Sequence, residues 1–147
     1  MTTLQDAVAL AQADRGLAVV STLRADQTIQ ASLINAGIID HPATAEPVLA
    51  FVTYGPVKLT NLRARPQIAL TFRSGWQWAT VEGRAELAGP DDPQSFLRDP
   101  DDLRLLLQAA FTACGGTHDD WAEYDRTMAE QRRTVVLVAA ARVYSNG

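Results

Sequence analysis

The chain has 147 residues, 47% apolar and 20% charged, the composition of one ordinary globular domain rather than of a disordered or fibrous segment. Thirteen basic against seventeen acidic residues leave a formal charge of −4, which argues against general affinity for nucleic acid but leaves room for a local basic pocket. The longest apolar run, residues 135–141, falls far short of the roughly 20 residues a membrane helix needs, so no transmembrane helix is predicted.

Residues 3–13 read as a short amphipathic helix, with Leu4, Val8 and Ala11 on one stripe and Asp14 and Gly16 ending it. From Gly16 the period changes to that of a strand. Residues 17–24 are rich in Val, Leu and Thr, residues 25–28 form a turn, and residues 29–39 resume as a second strand, the pattern of a hairpin. A loop with two prolines, residues 40–47, precedes a third strand over 48–54, which Gly55-Pro56 stops. Residues 57–65 then carry a helical pattern closed by Pro66, and residues 67–73 return as a fourth strand.

After the turn at Ser74-Gly75, residues 76–88 form the longest strand candidate. Its two faces differ: Ala79, Val81, Gly83, Ala85 and Leu87 suit the inside of a narrow barrel, while Trp76, Trp78, Thr80, Glu82 and Arg84 face outward. Gly83 marks a bend or a close backbone approach. Residues 89–93 break the pattern, and helices follow around 103–114 and 118–131, separated by Gly115-Gly116-Thr117. Trp121, Tyr124 and Met128 share one stripe of the second helix and read as core packing. Residues 134–144 close the chain as a sixth strand. The order predicts a single mainly β domain over 1–147: a six-stranded antiparallel barrel, closed or split, with flanking α-helices.

Several chemistries drop out early. Cys114 is the lone cysteine, and neither histidine has metal-ligand spacing to the other or to it, so a zinc site and an internal disulfide are not expected. His41 and His118 read as turn, capping or surface residues, and the apolar neighbours of Cys114 suggest a buried thiol. There is no Gly-x-Ser-x-Gly elbow, no phosphate-binding Gly-Lys loop and no dinucleotide fingerprint. The start of the chain lacks the pattern of a signal peptide, so a reduced, cytoplasmic protein is the expectation.

The positive signal lies between Thr53 and Pro66. Twelve of the thirteen basic residues are arginine, and the single lysine, Lys58, falls in the first turn of the helix after the third strand. Backbone donors at a helix start attract anions, so Lys58 beside Thr53, with Asn61 and Arg63 one turn on, places ammonium, hydroxyl and amide donors around a phosphate-sized target. Arg132-Arg133, between the last helix and the last strand, is a second basic pair. Trp76 and Trp78 suit either the cover of an aromatic ring or a subunit contact.

Taken in order, residues 18–23 (Ala-Val-Val-Ser-Thr-Leu), Gln30-Ala31-Ser32, Lys58-Leu59-Thr60-Asn61-Leu62-Arg63 with Pro66, Gly75-Trp76 before Val81-Glu82-Gly83-Arg84-Ala85, Trp121-Ala122-Glu123-Tyr124, Arg132-Arg133 and Val143-Tyr144 carry a resemblance. The chain resembles the pyridoxamine-phosphate-oxidase-like split β-barrel proteins, especially the branch of small deazaflavin-dependent oxidoreductases that use coenzyme F420. The resemblance implies a homodimer with two cofactors in grooves between subunits. It also implies that Lys58 meets the cofactor phosphate, that Thr53 and Asn61 line the near side, and that Gln30 and Ser32 approach the ring system. Trp76, Trp78 and Arg132 or Arg133 would come from the partner or the rim. One departure stands out: Thr60 occupies a position where members of that branch often carry a second basic residue.

The implied function is an oxidoreductase that passes hydride from reduced F420 to a small unsaturated or quinone-like acceptor, with no catalytic side chain assigned. An alternative is the same fold with flavin mononucleotide (FMN). Another is a protein that holds a cofactor or tetrapyrrole without turning it over. The longer polyanionic tail of the deazaflavin calls for additional basic groups, so convergence of Lys58, Arg63 and Arg132-Arg133 is the discriminating feature.

Overall fold

Strand structure begins where the helical period ends. In Leu17–Leu23 (β1) exposed and buried side chains alternate, with Ala18, Val20 and Thr22 pointing inward. A turn in which Asp26 Oδ1 accepts the Thr28 amide at 3.1 Å returns the chain into Ile29–Asp40 (β2). The computed structural model describes residues 1–147. Its remaining strands are Pro47–Thr53 (β3), Gln67–Ser74 (β4), Gln77–Ala88 (β5) and Thr134–Ser145 (β6). All neighbours are antiparallel, in the order β1-β2-β3-β6-β5-β4, and β4 pairs back onto β1 to close the barrel. Closure leaves no free sheet edge.

Four helices decorate this barrel: Leu4–Leu10 (α1), Pro56–Ala64 (α2), Pro100–Ala113 (α3) and Trp121–Glu130 (α4). Ala7 and Ala11 at the start of the chain, and Leu59 and Leu62 of α2, join the interior cluster of Val20, Phe51, Leu70, Phe72, Val81 and Val136. Full burial of each large side chain there contributes roughly 1.5–3 kcal/mol. A second cluster lies outside the barrel wall, where Val48, Ala50, Val135 and Leu137 meet Leu106, Leu107 and Ala110 of α3 and Tyr124 of α4. β3 and the first five residues of β6 are thus buried on both faces, which is why they read as continuous apolar runs instead of alternating ones.

The expected inward face of β5 is borne out, with Ala79, Val81 and Leu87 in the interior cluster and Ala85 packed against it. A Cβ at Gly83 would overlap the Ala139 carbonyl, and the β5–β6 register shifts at Glu82/Gly83. Some boundaries differ from the sequence reading. The first helix ends at Leu10 and is followed by a single 3₁₀ turn, Gln12–Asp14. α3 starts earlier than residue 103, because Asp99 and Asp102 form a capping box with Pro100 at the first helical position. α4 starts later than residue 118, because Asp120 caps it by accepting the Glu123 amide at 3.1 Å.

Trp76 sits in the β4–β5 turn beside Gly75, not in the strand, and is 94% exposed. The two indoles therefore do not stand as a pair on one strand face. Trp78 instead meets Tyr144 edge to face with centroids 6.1 Å apart.

Candidate functional site

Two tight approaches bring the site together. Gly16, with φ of 73°, lies so close to the Ala36 carbonyl that any Cβ would overlap it, and a Cβ at Gly37 would overlap the Ala113 carbonyl. The turn before β1, the middle of β2 and the end of α3 thereby share one corner. Arg15 holds a left-handed φ of 57° there, and its carbonyl accepts a hydrogen bond from Asn35 Nδ2 at 3.1 Å. Between this corner, the β3–α2 connection and α4 opens a cleft of about 680 Å³, well inside the usual range for small-molecule sites.

The floor of the cleft is the start of α2. Gly55 is its N-cap and gives no side-chain cap, so the first-turn amides are left open. Thr53 Oγ1 accepts the Gly55 amide at 3.2 Å. Lys58 curls back over the same turn, so that a Cβ at Gly55 would come within 3.0 Å of its Nζ. Nζ also donates to Ser32 Oγ at 3.1 Å. Burial pulls the Lys58 ammonium below its ordinary value of 10.5, since no carboxylate stands near to favour the charged form.

Arg133 enters from the opposite side, its guanidinium carbon 3.8 Å from the centroid of the Tyr54 ring, a cation–π contact. Its Nε donates to Gln131 Oε1 at 2.8 Å. Burial lowers its pKa as well. Arg15, Lys58 and Arg133 all line the cleft, none is in an ion pair, and no Asp or Glu is among the lining residues. In a chain with net charge −4, this is a local concentration of unspent positive charge. The walls between the cations are apolar and aromatic: Leu33, Val52, Tyr54, Phe111, Tyr124 and Met128.

The residues predicted from sequence are only partly gathered here. Thr53, Lys58 and Arg133 line the cleft, and Ser32 reaches it through Lys58. Gln30 and Asn61 do not line it. Asn61 is buried and donates to Thr22 Oγ1 at 3.0 Å, Thr22 donates to Gln30 Oε1 at 3.2 Å, and Arg65 donates to Asn61 Oδ1 at 3.5 Å. This chain of contacts anchors α2 to β1 and β2 behind the cleft. Arg63 and Arg132, expected to converge with Lys58, are held elsewhere: Arg63 by a two-pronged contact with Asp92, at 2.9 and 2.7 Å, and Arg132 by Asp91. Trp76 and Trp78 also lie outside the cleft of this single chain.

Other residues enter without having been singled out for the site. Arg15 carried no sequence signal, since nothing in the chain announces that its turn packs beside β2. Tyr124 and Met128 pack in the second cluster as expected and also face the cleft, whereas Trp121, expected in the core with them, is 36% exposed at the start of α4. Tyr124 donates its hydroxyl to the Leu107 carbonyl at 3.0 Å, and burial pushes its pKa up to about 12. Cys114, expected to be buried, is half-buried on the cleft wall, with its thiol donating to the Phe111 carbonyl at 3.1 Å. The histidines serve local turns: His41 Nδ1 accepts the Ala43 amide at 3.0 Å and Nε2 meets Glu86, while His118 Nδ1 accepts the Asp120 amide at 3.0 Å.

Solved structures share this fold at low sequence identity. A conserved hypothetical protein of Mycobacterium tuberculosis superposes with a TM-score of 0.69 at 17% identity, over 99% of this chain and 84% of the other. A protein named F420 reductase superposes with a TM-score of 0.59 at 16% identity, over 87% of this chain and 88% of the other. A pyridoxamine 5'-phosphate oxidase-related, FMN-binding protein of Nostoc punctiforme PCC 73102 gives a TM-score of 0.62 at 13% identity, over 97% and 81%. The sequence itself matches the family described as pyridoxamine 5'-phosphate oxidase along residues 4–146. Since that match runs through every strand of the barrel and both sides of the cleft, the chain belongs to the pyridoxamine 5'-phosphate oxidase family.

Proposed function

We propose that this protein binds reduced coenzyme F420 in the cleft and passes hydride from it to a small unsaturated or quinone-like organic acceptor. One observation carries the reading: Arg15, Lys58 and Arg133 surround one partly aromatic cleft with no carboxylate to neutralise them. FMN offers a single phosphate, for which Lys58, Thr53 and the open first turn of α2 suffice. Three separated cations favour a longer polyanion, with Arg15 and Arg133 standing in for the basic residue absent at Thr60.

When bound, the deazaflavin ring supplies the two-electron hydride chemistry. The chain's own residues bind, orient and exclude water. Lys58 and the uncapped amides of α2 hold an anion against the end of β3. Tyr54, Phe111 and Tyr124 give flat apolar surface for a ring. Tyr124 is protonated at neutral pH, as any phenol is, and its hydroxyl is committed to the Leu107 carbonyl. The acceptor would take up one hydride and one proton, the proton drawn from solvent, since no side chain is assigned as its donor.

The same reading includes a homodimer. Leu17, Val19, Ile29 and Leu33 are exposed at 42%, 43%, 64% and 62% on the outer face of β1 and β2, where Val19 pairs with Leu33 and Leu23 with Ile29. Such a stripe suits contact with a second copy, and through Leu33 it runs into the cleft. A second copy packed on it would wall the cleft and bring its own Trp76 and Trp78 to the neighbourhood. Titration of the purified protein with F420 and, separately, with FMN tests the cofactor, and light scattering tests the dimer. Tight binding of F420 with a twofold mass is expected. Preference for FMN, binding of neither, or a monomer each overturns the corresponding part.

A further inference from the structure

Amine chemistry on the side chains of this protein is confined to one position. Twelve of the thirteen basic residues are arginine, whose guanidinium stays charged and is no nucleophile, so Lys58 is the single side-chain amine. Its Nζ has one polar contact, a neutral one, with Ser32 Oγ at 3.1 Å. No carboxylate holds it as an ammonium.

The surroundings of the amine suit an incoming anion. A Cβ on residue 55 would lie 3.0 Å from Nζ, so Gly55 leaves that side of the amine open. The same point is 3.6 Å from Thr53 Oγ1. Thr53 is 5% exposed, and its hydroxyl oxygen accepts the Gly55 amide at 3.2 Å while its proton goes to no protein acceptor. A buried hydroxyl with a proton still to give is a donor waiting for an oxygen of a guest. Arg15 and Arg133 line the same cleft without ion pairs, so anions gather around the amine.

We propose that Lys58 is an acylation site whose reagent is an acyl phosphate, drawn into the cleft by its phosphate and attacked at its acyl carbon. The Nζ lone pair forms the new C–N bond and the acyl C–O bond breaks. Inorganic phosphate leaves, and the nitrogen gives up one proton to water. Burial supports the step, because it lowers the Lys58 pKa and so raises the share of free amine, the form that attacks. The product is a neutral amide, which leaves Arg15 and Arg133 as the only cations lining the cleft. Acylation is thereby a switch on anion binding. That the anion turned away is the cofactor rests on the function proposed above, whereas the acylation itself does not.

The probe is acetyl phosphate at pH 8, with intact-protein and peptide mass spectrometry as the readout. The reference is the same lysine in the urea-unfolded chain. Lys58 is expected to be acetylated at least tenfold faster in the folded protein than in the unfolded one, and saturating inorganic phosphate is expected to slow the folded protein at least fivefold. With p-nitrophenyl acetate, an uncharged acyl donor, the folded-to-unfolded ratio is expected to be at least threefold smaller. Equal rates in folded and unfolded chains, no protection by phosphate, or the same ratio with the uncharged ester would overturn the proposal. The acetylated protein is expected to bind F420 at least tenfold more weakly than the untreated protein, and equal affinity would overturn the switch. Failure of both F420 and FMN to bind the untreated protein would sink the cofactor reading and leave the acetylation rates standing.

Discussion

The Arg133 guanidinium rests on the Tyr54 ring at 3.8 Å while its neighbour Arg132 turns away to pair with Asp91, so two consecutive arginines have opposite duties. Arg132 adopts a left-handed φ of 50°, an uncommon state for a residue with a side chain, and this turn separates the two directions. Truncating each tests the division. Arg133→Met is expected to weaken cofactor binding by about 1.5–3 kcal/mol, the loss of a charge-assisted contact. Arg132→Met is expected to change it less than threefold. Fluorescence titration of both variants against wild type gives the comparison, and equal losses would contradict it.

Lys58→Ala should likewise weaken anion binding by about 1.5–3 kcal/mol and leave the melting temperature almost unchanged, because the ammonium stabilises no carboxylate in the free protein. The pH dependence has a definite sign. Burial lowers the Lys58 pKa from 10.5, so the cation needed for anion binding is lost as pH rises through a value below 10.5. Affinity should therefore decline earlier in alkali than an exposed lysine would allow. Lys58→Arg, which keeps its charge, should remove the decline if the longer side chain still reaches the anion.

Asn61 tests whether the polar chain behind the cleft holds α2 in place. Its side chain is buried and donates to Thr22 Oγ1 while accepting from Arg65. Asn61→Ala leaves Thr22 with one partner fewer in a buried site, at an expected cost of about 1–3 kcal/mol in denaturant unfolding. Asn61 stays behind the cleft, so any loss of cofactor affinity should come from movement of α2, and Lys58 contacts should loosen with it. A variant as stable as wild type would remove Asn61 from this role.

The six strands were legible because burial imposes a period, and the two-faced β5 with its crowded Gly83 could be read directly, whereas the pairing of β3 with β6 and of β4 with β1 appears only in the fold. The end of the β3 strand and Lys58 were legible for a similar reason, since the anion-binding start of a helix is a local feature. The rest of the cleft is not local. Arg15 reaches it only because Gly16 and Gly37 let three backbones touch, contacts between positions far apart in sequence. Arg63 and Arg132 looked available in sequence, and only the fold shows that the Asp91-Asp92 turn lies beside them. Asn61 had the right spacing for the site, yet the helix is rotated so that its amide faces the barrel.

Tyr124 is expected to cost stability in alkali. Burial raises its pKa from 10.0 to about 12, so between those values the unfolded chain releases a proton that the folded chain keeps. Stability from this group is therefore fully present below pH 10 and falls as pH rises toward 12, by about 2–3 kcal/mol for a two-unit shift. Tyr144, whose phenol is raised chiefly by its hydrogen bond to Glu82, acts with the same sign. Lys58 acts with the opposite sign, because its lowered pKa makes the folded state gain stability as pH approaches 10.5. Tyr124→Phe should lose about 1 kcal/mol at pH 8 with the hydrogen bond to Leu107. It should then show a distinctly shallower decline between pH 10 and 12, the residue of Tyr144 remaining. Urea unfolding at pH 8, 10 and 11.5 measures both effects, and an unchanged alkaline slope in Tyr124→Phe would assign the decline to other groups.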